Sequence, residues 1–282
     1  MQTVCVKTYG GDKRGFVEFQ SSSALVGPCK FCICVPEADL ESFRKLVAPG
    51  SLLITNEELL ARFGVHCKLR ESWSSQQLFK LLLVAVSSSE INWVLDANTL
   101  LLQPLPEFSA YAPVPLALDA LLPEEFQWFT ASAKFLGLPP PEVPMATVNQ
   151  PLRRSVVQEM LGYIARRSGK NPVEELIDQM VRGQRAGRPA WTEYGLYNTF
   201  ARYCTPQAHR LGKERRIFYY RHDKEGRNFE RWLAEIALKK PQMLKIYAHR
   251  FNYQLSDSQL DRIYGRIWAA CLESSEPIPP GL

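Results

Sequence analysis

Asp96 and Asn98 stand one residue apart at the end of an apolar run, Ile91-Asn92-Trp93-Val94-Leu95-Asp96-Ala97-Asn98. Alternate side chains of an extended backbone project to the same side, so a carboxylate and an amide oxygen at this spacing can grip one hard cation together with a diphosphate. A carboxylate that closes a buried strand is costly unless it is paired or bound to metal. Asp-Ala-Asn is also good turn chemistry between two strands. The ligand reading is preferred because open α/β folds bind their ligands at the C-terminal edge of a parallel sheet.

Further polar groups recur at spacings that chemistry can use. Gln76, Gln77 and Lys80 share one face of a helix otherwise made of Leu78, Phe79, Leu81, Leu82 and Leu83. A lysine on such a helix either snorkels to solvent or needs an anionic partner, for which Asp96 or a diphosphate would serve. Glu193 follows Trp191 and Thr192 at a helix start, where the helix dipole favours its ionised form and the carboxylate can accept a proton from an attacking hydroxyl. Trp191, Tyr194 and Tyr197 supply rings on which the CH-rich face of a sugar can rest, and equally suit a core. Thr8 and Tyr9 end the first strand, and the Tyr9 ring can stack on a base or pack on the sheet edge.

The elements that must position these groups alternate. Strand signals at Val4–Thr8, Lys30–Val35, Ser51–Ile54 and the run ending at Asp96 are separated by helical spacing at Phe16–Leu25, from Pro36, after Thr55 and over Gln76–Val86, where Ser74 or Ser75 can cap. Such βαβα order predicts a mostly parallel sheet flanked by helices. Beyond Leu105 the pattern loosens into a proline-rich connection around Pro139-Pro140-Pro141, a short strand at Met145–Val148, and helices at Glu124–Leu136, Arg153–Arg167, Pro172–Arg182, Thr192–Cys204, Asn228–Leu238 and Ser256–Cys271. Gly183–Pro189 reads as a basic loop. A strand is expected at Leu244–Ala248.

Composition excludes several classes. With 282 residues, 46% of them hydrophobic, the chain can bury a full core. A net charge of +5, from 34 basic residues spread among 29 acidic ones, argues against a nucleic-acid binder. The basic groups Arg182–Arg188 and Lys213–Arg216 could receive a phosphate or an anionic membrane surface. The seven cysteines are an odd number and sit largely in apolar runs, as reduced thiols do. Cys29-x-x-Cys32-x-Cys34 lacks a second Cys/His pair at a zinc spacing. The N-terminal run has no charged and apolar leader pattern, and no apolar stretch is long enough to span a bilayer, so a soluble cytoplasmic protein is expected.

Several segments taken in order resemble one family. Val6-Lys7-Thr8-Tyr9, Val35-Pro36-Glu37-Ala38-Asp39-Leu40-Glu41-Ser42-Phe43, Trp73-x-x-Gln76-Gln77-x-x-Lys80-Leu81, the Asp96 strand and Thr192-Glu193-Tyr194-Gly195-Leu196-Tyr197 resemble the bacterial glycosyltransferase-like proteins grouped as DUF6492, over residues 1 to about 205. The resemblance implies a GT-A-like nucleotide-sugar-binding fold in a single domain, 1–282. Residues 1–105 would form the nucleotide-sugar half, 106–272 an acceptor-side half with a helical C-terminal elaboration, and 273–282 a tail. It implies a transferase that moves a sugar from a nucleoside diphosphate sugar to a hydroxyl of a polysaccharide or glycolipid.

By that resemblance Thr8, Tyr9, Gln77, Lys80, Asp96 and Asn98 would bind the donor, Glu193 would be the base, and Trp191, Tyr194 and Tyr197 would face the acceptor. Asp96, Asn98 and His249 would hold Mn²⁺ or Mg²⁺. The family pattern carries a second aspartate where this chain has Asn98, which weakens the ion's hold, since a neutral amide binds it less strongly. Peripheral contact with the inner face of a membrane is expected. The alternative is a catalytically silent carbohydrate- or nucleotide-binding protein on the same fold.

Overall fold

The computed structural model describes residues 2–27, 29–117, 123–140, 149–188, 190–212, 217–220, 228–239, 243–246 and 257–273. The expected strand at Met145–Val148 and His249 lie outside them. The described strands are β1 (Gln2–Lys7), β2 (Cys29–Val35), β3 (Leu52–Thr55), β4 (Ile91–Asp96), β5 (Thr99–Leu101), β6 (Val114–Ala117), β7 (Gln150–Arg153), β8 (His209–Gly212), β9 (Ile217–Tyr220) and β10 (Met243–Ile246). The helices are α1 (Lys13–Val26), α2 (Leu40–Arg44), α3 (Asn56–Ala61), α4 (Trp73–Val86), α5 (Pro123–Leu136), α6 (Arg154–Ser168), α7 (Pro172–Arg185), α8 (Glu193–Cys204), α9 (Phe229–Lys239) and α10 (Asp257–Glu273).

The chain divides into two compact units that interleave along the sequence rather than parting near residue 105. One comprises residues 1–13, 28–97 and 106–215, the other 14–27, 98–105 and 216–282. The first holds a five-stranded sheet in the order β3-β2-β1-β4-β7. β1 to β4 run parallel and β7 closes the edge antiparallel to β4. The edge position tolerates Pro151, which has no N–H to give a neighbouring strand. Because the chain moves outward from β1 through β2 and β3 and then returns to place β4 on the other side of β1, the strand order reverses between β1 and β4. The C-terminal ends of those two strands form the crevice where open α/β folds take ligands.

α4 spans this sheet beneath the crevice. Its N-cap is Ser72 rather than the expected Ser74 or Ser75: the Ser72 hydroxyl accepts from the Ser75 N–H while the Ser75 hydroxyl accepts from the Ser72 N–H. Leu78, Phe79, Leu81, Leu82 and Leu83 are fully buried, in one core with Cys5, Val94, Val157, Leu176 and Phe200 from β1, β4, α6, α7 and α8. Removing five such side chains from water contributes roughly 1.5–3 kcal/mol each, which fixes the helix and therefore whatever polar group it carries. The helix expected to start at Arg153 starts at Arg154, because Arg153 is the last residue of β7 and pairs with Ile91. α7 continues to Arg185, so part of the expected basic loop is helical.

The second unit has its own sheet, β5-β10-β9, with β10 antiparallel to β5 and parallel to β9. Its core joins Leu100 and Leu244 to Phe229, Trp232, Leu233 and Ile236 of α9 and Leu260, Ile263, Tyr264 and Ile267 of α10. α1 is tied to α10 through an Arg14–Asp261 ion pair at 2.7 Å and the Trp268 indole N–H donating to Glu18 at 2.9 Å. Among the described residues no helix is long and apolar enough to cross a membrane.

Candidate functional site

Three ionisable side chains from distant parts of the sequence meet inside the first unit. Lys80, on α4, donates to the Asp96 carboxylate at the end of β4 and to Oε1 of Glu193 at the start of α8, the latter at 3.1 Å. All three are buried, with 2%, 5% and 1% of their surfaces exposed, so the group is a desolvated centre rather than a surface ion pair. Burial works against the Lys80 charge, yet the two carboxylates outweigh it and its pKa is raised. Burial also raises Glu193 above the usual carboxylate range; Lys80 opposes this and Asp96 adds to it. Two carboxylates sharing one ammonium leave an excess of negative charge, a setting that suits a further cation or a proton. Gln77, one turn before Lys80, donates to the Glu193 carboxylate when its amide nitrogen faces that group.

The local backbone explains how these groups are held. Thr192 caps α8 by accepting from the Gly195 N–H at 2.9 Å, and its own N–H donates to the Ser132 hydroxyl of α5 at 3.1 Å. A Cβ at Gly195 would collide with the Ser132 hydroxyl and lie 3.1 Å from the Ser132 Cβ, so α5 and α8 approach this closely only because position 195 has none. Asp96 is fixed through its backbone N–H, which donates to the Asn149 side chain at 2.9 Å. Asn149 adopts φ 63°, a left-handed conformation that asparagine accepts better than most residues.

The three aromatic residues at the start of α8 are engaged in the protein interior. The Tyr194 hydroxyl donates to Val94 O at 3.0 Å and accepts from the Asn149 N–H at 2.9 Å. The Tyr197 hydroxyl accepts from the Arg153 N–H at 2.8 Å and meets His209 Nε2 at 2.5 Å. The Trp191 indole donates to Leu176 O at 3.1 Å. Each is 4% exposed or less. Burial drives both tyrosine pKa values up, so these are neutral phenols that tie the edge strand and β4 to α8.

A second polar group flanks the crevice and is not evident from sequence spacing. Lys7, the register partner of Asp96 on the adjacent strand, pairs with Glu71 at 3.1 Å, donates to Thr8 O at 2.8 Å and lies 5.6 Å from the Phe79 ring centre. Asn56 joins Glu71 to the Cys34 thiol, which donates to its side-chain oxygen at 3.1 Å. The Thr8 hydroxyl is fully buried and has no hydrogen-bond partner among the described residues. Tyr9 is half-buried next to it. The one signal for this group in the sequence is a lysine at the end of an otherwise apolar strand.

Asn98 is half-buried in the turn after β4 and falls in the second unit, whereas Asp96 falls in the first. Among the described residues no three His, Cys, Asp or Glu side chains cluster as a metal centre. The donor set of Asp96 and Asn98 is one carboxylate that already answers an ammonium and one amide. That set fits an ion arriving with an anionic ligand better than a resident ion.

The fold is that of GT-A glycosyltransferases. The glycosyltransferase GlyE of Streptococcus pneumoniae TIGR4 aligns with a TM-score of 0.50 at 14% identity over 97% of this chain and 63% of its own, so this chain spans less than two thirds of GlyE. An active-site mutant of LgtC aligns with a TM-score of 0.50 at 9% identity over 98% of both chains. The galactosyltransferase LgtC in complex with donor and acceptor sugar analogues gives 0.48 at 10% identity over 98% of both. No curated protein matches the chain. Residues 14–225 match DUF6492, a family of unknown function, and the chain belongs to that family.

Proposed function

We propose that this protein transfers a glycosyl group from a nucleoside diphosphate sugar to a hydroxyl of a polysaccharide or glycolipid acceptor. The observation that carries the reading is the buried Lys80–Asp96–Glu193 group at the strand-order reversal of a GT-A-type sheet. Such a buried charge cluster is expensive for the fold, and perturbed ionisable groups at a sheet crevice are the mark of a functional site. The shared fold is consistent with it.

In this proposal the donor lies over the ends of β1 and β4. The unpartnered Thr8 hydroxyl and the Tyr9 ring meet the nucleoside, and Gln77 and Lys80 hold the polar floor. Asp96 and Asn98 would hold Mn²⁺ or Mg²⁺, which would neutralise the departing diphosphate. Glu193 accepts the proton of the attacking hydroxyl if the reaction inverts the anomeric centre; its raised pKa makes it a stronger base than an exposed glutamate. The interior bonds of Trp191, Tyr194 and Tyr197 make their part in an acceptor pocket indirect: they position Glu193 and Asp96.

A second reading is favoured by one observation, the occupation of the Asp96 carboxylate by Lys80 in a chain whose other ligand is an amide. In it the protein binds a nucleotide or sugar without turnover. A panel of nucleoside diphosphate sugars, each incubated with the protein, Mn²⁺ and a glycan acceptor, separates the two. Release of nucleoside diphosphate that depends on the acceptor supports the transferase; binding of a donor with no release supports the silent protein.

A further inference from the structure

α5, α6 and α7 line an open pocket of about 660 Å³ in the first unit that shares no residue with the Lys80–Asp96–Glu193 group and includes Arg182 and Arg188 of the basic segment. Four cations line it: Lys134 from α5, Arg167 from α6, Arg182 from α7 and Arg188 from the turn that follows. Arg167 is committed to the fold. It donates to Phe135 O at the end of α5, and its guanidinium covers Gly137, where a Cβ would lie 2.6 Å from Cζ.

The other three are not ion-paired to any described residue. Their convergence is built by the backbone. The Arg188 N–H donates to Gly183 O at 3.1 Å, and a Cβ at Gly183 would meet Arg188 O at 2.9 Å and the Ala190 Cβ at 2.7 Å, so the turn folds directly back on α7 and keeps Arg188 beside Arg182. The single acid of the lining, Glu175, is engaged by neighbours: it accepts from Gln179 at 2.9 Å and lies 3.7 Å from Lys170. Phe135, Tyr163 and Ile164 give the cavity an apolar wall, with the Tyr163 hydroxyl spent on Leu136 O at 3.0 Å.

We propose that this cavity is a second ligand site that takes a phosphate-bearing molecule. One phosphate or diphosphate group sits among Lys134, Arg182 and Arg188, and the carbon skeleton it carries rests on Phe135, Tyr163 and Ile164. Guanidinium groups suit this task because they bind phosphate oxygens in pairs and remain charged at any working pH. The phosphate can belong to a phospholipid headgroup or to a free phosphate compound.

The test titrates inorganic pyrophosphate into the full chain by calorimetry in the presence of EDTA, which removes metal-dependent donor binding. In parallel, the chain is pelleted with vesicles of phosphatidylglycerol in phosphatidylcholine. The Arg182→Ser/Arg188→Ser double variant changes two exposed side chains, and Arg182→Lys/Arg188→Lys keeps the charge without the paired geometry. Asp96→Asn reports on the crevice. The expected result is binding by the wild type and by Asp96→Asn, weakened about ten-fold or more in the serine variant and by less in the lysine variant. Vesicle pelleting that is lost in the serine variant assigns the phosphate to a lipid headgroup, and binding of pyrophosphate alone assigns it to a free compound. Binding to neither probe, binding unchanged in the serine variant, or binding lost only in Asp96→Asn overturns the proposal.

Discussion

Lys80 and Glu193 lie 113 positions apart in the chain and form a 3.1 Å ion pair in an interior almost closed to water. Lys80 bridges the Asp96 and Glu193 carboxylates, so removing its ammonium takes away the charge that holds these two buried acids together. Lys80→Met keeps the length and apolar stem of the side chain and deletes the charge. It should destabilise the protein by roughly 3–5 kcal/mol near neutral pH. Acid should relieve part of this loss by protonating the carboxylates. Denaturant melts at two pH values check both statements; an unchanged midpoint would mean that the charge cluster is dispensable to the fold.

Glu193→Gln preserves shape and keeps a hydrogen-bond partner for Lys80 and Gln77. Turnover should fall by about 10²-fold or more with the melting temperature little changed. Because burial raises the pKa of Glu193, the acid limb of the wild-type rate profile should lie above the ordinary value of 4.5. Turnover within a few-fold of wild type would leave Glu193 with a structural role only.

The Tyr194 hydroxyl bridges Val94 O and the Asn149 N–H, and so links α8 to β4 and to the residue that holds the Asp96 backbone. Tyr194→Phe strands both buried partners, at a cost of about 1–3 kcal/mol. The proposal that the ring acts by positioning predicts this loss of stability together with an unchanged KM for acceptor. A large rise in acceptor KM at unchanged stability would instead put the ring against the sugar.

His209 makes a pH-dependent contribution to the first unit. Its Nδ1 lies 3.0 Å from Val114 O and its Nε2 meets the Tyr197 hydroxyl, an arrangement that suits a neutral ring donating from Nδ1. Burial lowers its pKa to about 4 from an ordinary 6.5. A folded-state pKa below the unfolded one means that the unfolded chain takes up the proton first as pH falls. The contribution is therefore complete above pH 6.5 and is lost progressively towards pH 4, on the order of 3 kcal/mol in all. His209→Asn should flatten the stability profile between those pH values, and an equally steep profile in the variant would locate the dependence elsewhere.

Much of the scaffold is legible in the sequence because it rests on local rules. Val4–Thr8 and Lys30–Val35 are apolar runs ended by turn or proline signals, and the leucine-rich face of α4 announces burial, so the parallel sheet and its flanking helices follow. Asp96 and Glu193 are legible as acids at a strand end and a helix start. β7 is not, since Gln-Pro-Leu-Arg is short, contains proline and becomes a strand only by pairing with β4. The Lys7–Glu71–Asn56 group is hidden for the same reason: each member looks like an isolated polar residue until the sheet brings it to the others. The division into two units is hidden too, because α1 leaves the first unit between two adjacent strands of its sheet.

The central claim is that Asp96 helps to bind a nucleoside diphosphate in company with a divalent ion. Calorimetric titration of nucleoside diphosphates into the protein, with Mn²⁺ and with EDTA, tests it most directly when repeated on Asp96→Asn and Asn98→Asp. The account predicts binding that Mn²⁺ strengthens, loss of the metal-dependent part in Asp96→Asn, and tighter Mn²⁺-dependent binding in Asn98→Asp, where a second negative ligand is added. Metal-dependent nucleotide binding that survives in Asp96→Asn, or no nucleotide binding in the wild type at millimolar concentration, would contradict it.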